Sequence, residues 1–342
     1  MRHMKKSHVE ESSYAVHRSW YDLIFQIADE YQLDTTAIIG MEPQQLANLQ
    51  PDVRQLRKIL HQLVEASGDI LLPAKAAKNL HALSFGALSL VLWTSPNLFT
   101  LMKTCAEYGM FFGTPIRIIF KETAKGDGEF WLIDSEPYNQ QAVITHVGLI
   151  LIIATLVRII LKTTTEPDIE FDIYLAREEI PDTAQQAISK ALNCQIHFNA
   201  PITKVAVSRR YLFSPLRDSN PEINNLNQKL LRKEAATLAS SNIVIQAYKV
   251  FDETGNLADM SGEELANKLN LSVRTLNRRL READINYRGL IDKYKLEKAM
   301  HLLHDPDISM TEISYQLGFS DLSTFSRAFK RWTGTSPSQI KF

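Results

Sequence analysis

The chain has 342 residues, 45% of them hydrophobic and 23% charged, the balance of a soluble globular protein of about two domains. Its formal net charge is −1, so any attraction to a polyanion must come from a local patch rather than a global field. Two cysteines, Cys105 and Cys194, exclude a disulfide framework and a Cys/His metal array, and the basic start from Met1 to Lys6 lacks the apolar stretch of a signal peptide.

Taken in order, Tyr14 to about Ser67 reads as helices. Trp20, Leu23, Ile24, Ile27 and Tyr31 recur at three- and four-residue spacing, as do Val53, Leu56, Ile59, Leu60 and Leu63, with a break at Asp34 to Thr36. Ser95-Pro96 starts another helix, carrying Leu98, Leu101, Met102 and Cys105. Period-two alternation at Ile116, Ile118 and Phe120, and again at Phe130 and Leu132, flanks Lys125-Gly126-Asp127-Gly128 and predicts an antiparallel hairpin. Val143 to Leu161 is 19 residues long, about the length of a membrane span. His146 and Arg158 interrupt it and sheet-forming segments flank it, so a buried core helix is the better reading and no membrane is expected. Further strands lie at Ile169 to Ile173, Gln195 to Phe198 and Val205 to Val207, with a helix over Thr183 to Leu192. This mixture predicts an α+β (mixed α/β) first domain over 1–220. A linking helix over 221–240 follows, with Ile223, Leu226, Leu230, Ala235 and Leu238 on one stripe that either forms a dimer seam or docks on the first domain.

The remainder, 241–342, is predicted to be all-α, and its core is a motif written twice. Leu265 to Leu280 and Ile313 to Phe329 repeat at an offset of 48 residues through a serine and 49 afterwards, so the second copy has one extra residue in its turn. Ser261 with Glu264, and Ser309 with Glu312, are capping-box signatures. Asn270 and Gly318 are the residue types that most readily adopt a left-handed backbone, and Ser272 and Ser320 stand where a following helix is capped. Two helix–turn–helix units result. A long apolar helix from Tyr287 to Leu303 joins them and would hold two recognition helices about one turn of DNA, roughly 34 Å, apart.

In the first recognition helix Leu276, Leu280 and Ala283 face inward, while Arg274, Asn277, Arg278 and Arg281 share another face. Arg forks onto guanine and Asn onto adenine in the major groove. In the second, Phe325, Phe329 and Trp332 face inward and Ser323, Thr324 and Arg327 outward. Ser272, Thr275 and Arg281, with Ser320, Lys330 and Arg331, are assigned to flanking phosphates.

Ser272 to Leu280 and Ile313 to Pro337 resemble the signature of the arabinose-regulator (AraC/XylS) family of bacterial transcription regulators. That resemblance implies double-stranded promoter DNA and RNA polymerase as partners, activation of transcription, and a cytoplasmic protein. It also implies Arg274, Asn277, Arg278, Ser323, Thr324 and Arg327 as base readers. Asp284 departs from the glycine many members carry there. Less closely, Ala154 to Ile160, Pro167 to Phe171 and Cys194 to Pro201 resemble the effector domain of the ornithine-utilisation-regulator branch, which implies a small-molecule effector and self-association as a homodimer.

For the effector, the aromatic-rich segment from Leu83 to Trp131 offers Trp93, Tyr108, Phe112 and Trp131, with Arg117 as a partner for a carboxylate. The bland reading, ordinary core, stands beside it. No phosphate-cradling loop, His pair at ligand spacing or nucleophile elbow appears, so no catalytic residue, metal or cofactor is expected and the chain is not read as an enzyme. An enzyme domain fused to a DNA-binding unit would need reactive, metal-spaced cysteines. The remaining alternative is the same DNA-binding regulator controlled by a protein partner.

Overall fold

The computed structural model describes residues 16–41, 45, 52–112, 116–134, 145–176, 182–198, 200, 202–283, 285–303, 305 and 307–340. They fall into two compact units, one ending at Lys233 and the other running from Glu234 onward.

The first unit begins with helices α1 (Ser19–Glu30), α2 (Thr35–Ile39) and α3 (Val53–Ser67), where amphipathic spacing predicted helix. Asp34 supplies the predicted break by accepting from the Ala37 N–H at 2.9 Å. Short α4 (Leu72–Ala76), α5 (Gly86–Trp93) and α6 (Leu98–Glu107) follow. The start of α6 is capped by Asn97, which accepts from the Thr100 N–H at 2.9 Å, two residues past the predicted Ser95.

A five-stranded sheet has the order β1-β2-β5-β3-β4, with β1 (Ile116–Glu122), β2 (Gly128–Asp134), β3 (Phe171–Tyr174), β4 (Cys194–His197) and β5 (Thr203–Val207). The β1–β2 hairpin pairs antiparallel from Ile116↔Asp134 to Glu122↔Gly128, and Gly126 takes φ 83° in its turn. β3 and β4 are parallel because α8 (Asp182–Leu192) crosses over between them. Helix α7 (His146–Thr163) is the apolar run. Of its 18 residues 61% are buried inside the protein, and its Ile150, Ile153, Leu156 and Ile160 belong to the core of the unit. After the short α9 (Arg209–Leu212), helix α10 (Pro221–Ser241) leads out of the unit.

Ile223, Leu226 and Leu230 of the predicted α10 stripe are not what fastens it, and the Leu238 side chain lies outside the described residues. Asn224 and Leu231 are buried, and the Asn224 amide donates to the Val91 carbonyl at 2.8 Å and to Thr94 Oγ1 at 3.1 Å. Ile223, Leu226 and Leu230 stay 46%, 66% and 46% exposed, so docking on the first unit uses a polar anchor that periodicity could not point to.

The second unit contains α11 (Ile243–Thr254), α12 (Gly262–Lys268), α13 (Val273–Glu282), α14 (Tyr287–Leu302), α15 (Met310–Gln316) and α16 (Leu322–Thr333). Its first half closes around Phe251, Leu265, Leu276, Leu280, Leu290 and Tyr294. Phe251 is fully buried, and burial of such a side chain stabilises by about 1.5–3 kcal/mol. Tyr294 tilts against Phe251 at 5.0 Å between ring centroids and donates to Asp252 at 2.8 Å. The second half is aromatic: Phe325 stands 5.6 Å from both Phe319 and Phe329.

Candidate nucleic-acid interface

Each helix–turn–helix is built from local signals that the structure forms. Ser261 accepts from the Glu264 N–H at 3.0 Å and Ser309 from the Glu312 N–H at 3.1 Å, so both scaffold helices are capped. The Glu264 carboxylate lies 3.8 Å from Lys268, one turn on. A fully reciprocal capping box instead joins Ser336 and Gln339 after the second unit. The turns pass through Asn270 at φ 55° and Gly318 at φ 72°, the left-handed backbone both residues were expected to supply.

The caps of the two recognition helices differ. Ser272 accepts from the Thr275 N–H at 3.1 Å, as expected. In the second copy the cap is Asp321, which accepts from the Thr324 N–H at 2.7 Å, while Ser320 lies outside the helix and donates to Asp321 at 2.9 Å. The extra residue of the second copy thus falls before the cap, and Asp321 is the counterpart of Ser272. The Thr324 N–H, then the Thr324 and Ser320 hydroxyls, hold the Asp321 carboxyl below the usual aspartate range.

Buried Leu276, Leu280 and Ala283 turn α13 so that Arg274, Asn277, Arg278 and Arg281 are exposed. Arg281 donates through Nε to the Asn277 carbonyl at 3.1 Å, and Arg278 lies 2.7 Å from the Glu282 carboxylate. An exposed i,i+4 pair of that kind contributes only about 0.3–0.5 kcal/mol. Glu282 therefore holds the Arg278 guanidinium only weakly on the exposed face.

On α16, Phe325, Phe329 and Trp332 are buried and Ser323 and Arg327 exposed, with Thr324 half-buried. Thr324 donates to Asp321 at 2.8 Å and accepts from Arg327 at 3.3 Å, a relay that aims the guanidinium. Lys330 is exposed, whereas Arg331 is paired with Asp292 of α14 at 3.1 Å. Thr275 is half-buried, its hydroxyl 2.8 Å from that of Ser272. Asp284 lies outside the described residues.

Periodicity alone did not reveal three further features. Val273 and Leu322 occupy the first helical position of α13 and α16, and both stay exposed, at 40% and 38%. Their offset of 49, the same as between Ser272 and Asp321, was a readable signal. Gly318 approaches the loop before α12 so closely that an added Cβ would stand 2.3 Å from Ala258 N and 2.5 Å from the Leu257 carbonyl carbon. Lys295 of α14 sits 4.5 Å from the Phe319 ring. The Gly318 approach, the Lys295–Phe319 contact and the Arg331–Asp292 pair fix the second reader against the scaffold that holds the first.

In the first unit the aromatic residues from Phe85 to Phe112 pack on one another and on α1: Phe85 is 4.8 Å from Phe112 and 5.1 Å from Trp20 between ring centroids. Trp93 and Phe112 are buried, Tyr108 is half-buried, and Arg117 is exposed on β1. Trp131 is fully buried and donates to Glu129 at 2.6 Å, while Glu129 also pairs with Lys204 at 2.6 Å. Trp93, Phe112 and Trp131 are thus buried side chains, while Arg117 stands on the exposed face of β1. Burial pushes the Cys105 thiol up and raises that of Cys194 to about 12, so neither is a thiolate near neutral pH. Among the described residues no cluster of His, Cys, Asp and Glu could hold a metal ion.

The family model described as the arabinose-binding domain of AraC transcription regulator, N-terminal, matches residues 34–216, and that of a helix-turn-helix domain matches residues 265–341. The ornithine utilization regulator of Pseudomonas aeruginosa is 24% identical over 80% of this chain and 79% of its own length. The HTH-type transcriptional regulator VirS of Mycobacterium tuberculosis is 29% identical over 45% of each chain. The crystal structure of the transcriptional regulator CdpR from Pseudomonas aeruginosa aligns with a TM-score of 0.48 at 14% identity, covering 95% of this chain and 98% of that one. All three are transcriptional regulators.

Proposed function

The chain belongs to the AraC family of transcription regulators, and on that premise we propose that it is a cytoplasmic activator. In this reading α13 and α16 enter successive major grooves of one promoter face, and a small molecule held by the first unit controls the outcome. Arg274, Asn277 and Arg278 read bases in one half-site, Ser323, Thr324 and Arg327 in the other. Ser272, Thr275, Arg281 and Lys330 meet phosphates. Arg331 meets phosphate only by sharing its charge with Asp292, and Ser320 only beside the Asp321 carboxylate. The exposed Val273 and Leu322 add apolar contacts to thymine methyl groups.

The carrying observation is the pair of capped helices behind left-handed turns, each presenting a short exposed polar face over a buried apolar one. Residues 1–220 serve as the effector domain, 221–240 as the linking helix and 241–342 as the DNA reader. The exposed Ile223, Leu226 and Leu230 support self-association as a homodimer, in which α10 of each copy covers that stripe. RNA polymerase is the partner that an activator at a promoter requires. The regulator relatives and the inert, buried cysteines support a protein without catalytic activity.

The test is quantitative binding and footprinting of the full chain on its promoter. Arg278→Ala and Arg327→Ala should each cost about 1–3 kcal/mol and relax base preference at separate positions, one helical turn apart. Unchanged footprints for both would refute the assignment.

A further inference from the structure

Helix α10 is rooted in the first unit by buried polar groups. Asn224 is buried, and both polar atoms of its side chain are engaged. Its amide donates to the Val91 carbonyl at 2.8 Å and to Thr94 Oγ1 at 3.1 Å, while its Oδ1 accepts from Gln228 at 2.9 Å. The Thr94 carbonyl accepts from the Asn220 N–H at 3.2 Å, so the end of α5 holds the start of α10 at two points. The end of α7 holds the segment just before it. There the Arg217 N–H donates to the Thr163 carbonyl at 2.8 Å, and Thr164 bridges to Leu216. Thr94, Thr163 and Thr164 are buried as well.

Apolar contact is non-directional, so a helix held by it alone can slide on its seat. Hydrogen bonds are less tolerant: the 2.8 Å bond from Asn224 to Val91 is lost once the pair separates by about 0.7 Å more. Val91 and Leu92 of α5, and Ile159 and Ile160 of α7, belong to the core of the unit. A change in core packing therefore moves these two helix ends and, with them, the seat of α10. From Asn224 to Ser241 the helix runs about 26 Å, and a tilt of about 10° at the seat carries its far end about 4 Å. Helix α10 is also the element that passes from the first unit into the second, at Lys233 and Glu234. We propose that Asn224 is the positioning residue of a coupling joint, through which the packing of the α5 and α7 ends acts on DNA reading by the second unit. The proposal rests on the reading of the chain as a DNA-binding regulator controlled by its first unit.

The experiment is scanning calorimetry of the full chain with and without a duplex carrying the footprinted promoter site, together with promoter binding. Because coupling is reciprocal, promoter DNA on the second unit should raise the melting temperature of the first unit by about 2–4 °C in the wild type. Thr94→Val keeps the side-chain shape and removes the acceptor of the Asn224 amide. It and Asn224→Ala should each abolish that shift and weaken promoter binding about fivefold, although neither residue is placed on DNA. Thr94→Ser, which keeps the hydroxyl, should behave as the wild type. A purely structural anchor gives another pattern: the variants lower the first transition equally with and without DNA, and promoter affinity stays at the wild-type value. That pattern, or a wild type that binds promoter without any shift of its first unit, overturns the joint and leaves DNA reading intact. If Asn224→Ala does not fold, the nearly isosteric Thr94→Val decides. Failure of the wild type to bind the promoter defeats DNA reading and the joint together.

Discussion

Replacement of Gly318 by alanine probes how the two readers are locked together. At φ 72° an L-residue costs about 1–2 kcal/mol from local sterics alone. The new Cβ would also meet Ala258 N at 2.3 Å and the Leu257 carbonyl carbon at 2.5 Å, both backbone atoms that cannot swing aside. Relieving that overlap requires a shift of the loop before α12, and overpacking of this kind costs about 1–3 kcal/mol more. The sum is roughly 2–5 kcal/mol, which for a domain of about 100 residues lowers the melting temperature by roughly 10–30 °C. Asn270 is the internal control, since it has the same turn position at φ 55° and already carries a Cβ. Asn270→Ala should therefore lose at most about 1–2 kcal/mol, and Asn270→Gly close to nothing. Differential scanning calorimetry of the full chain can separate the transition of the second unit from that of the first. Gly318→Ala should lower only the former and reduce promoter binding at a temperature where Asn270→Ala still binds. Equal losses for the two alanine variants would refute the close approach.

Lys330→Ala should weaken binding to all sequences alike and reduce the slope of log affinity against log salt by about 0.9, the loss of one phosphate contact; a change at a single base position would place Lys330 in the groove instead. Replacing a contacted thymine by uracil should cost the wild type about 1 kcal/mol and the matching Val273→Ser or Leu322→Ser variant almost nothing, a double-mutant cycle read by competition binding. Because the folded-state pKa of Asp321 is depressed, its stabilising contribution is present above the usual aspartate value and is lost as pH falls through the lower folded value. Melting curves of the wild type and Asp321→Asn should accordingly converge only on acidification, and parallel curves at every pH would show that the carboxylate does not serve the cap. Arg331→Ala should lower stability slightly, through the loss of its exposed pair with Asp292, and a stability unchanged at low salt would assign Arg331 wholly to DNA.

The doubled helix–turn–helix was legible because its determinants are local. A cap reaches three residues, a left-handed turn is one residue, and an inward stripe repeats within a single helix, so Ser261, Asn270, Leu276 and Phe325 declared themselves without any knowledge of what packs on them. The hairpin, the strand and helix segments of β3, α8 and β4, and the buried character of α7 follow equally from short-range patterning and turn chemistry, whereas the parallel pairing of β3 with β4 does not. Even here the one-residue insertion in the second copy hid the cap: a serine at the aligned offset was read as the cap, and the carboxylate beside it holds the amide.

Tertiary structure alone decided what depends on distant partners. Asn224 rather than Ile223, Leu226 and Leu230 anchors α10, because a carbonyl and a hydroxyl more than a hundred residues earlier lie within its reach. Phe85 packs on Trp20 of α1 and on Phe112, contacts that the aromatic segment read by itself could not supply. His61 and His146 look like scattered singles in the chain and are neighbours in space. Gly318 reads as a turn residue, and only the loop that crosses it shows why a Cβ is excluded there. Local preference specifies the elements, whereas close packing of chain segments far apart in sequence specifies which faces are left for ligand, partner and DNA.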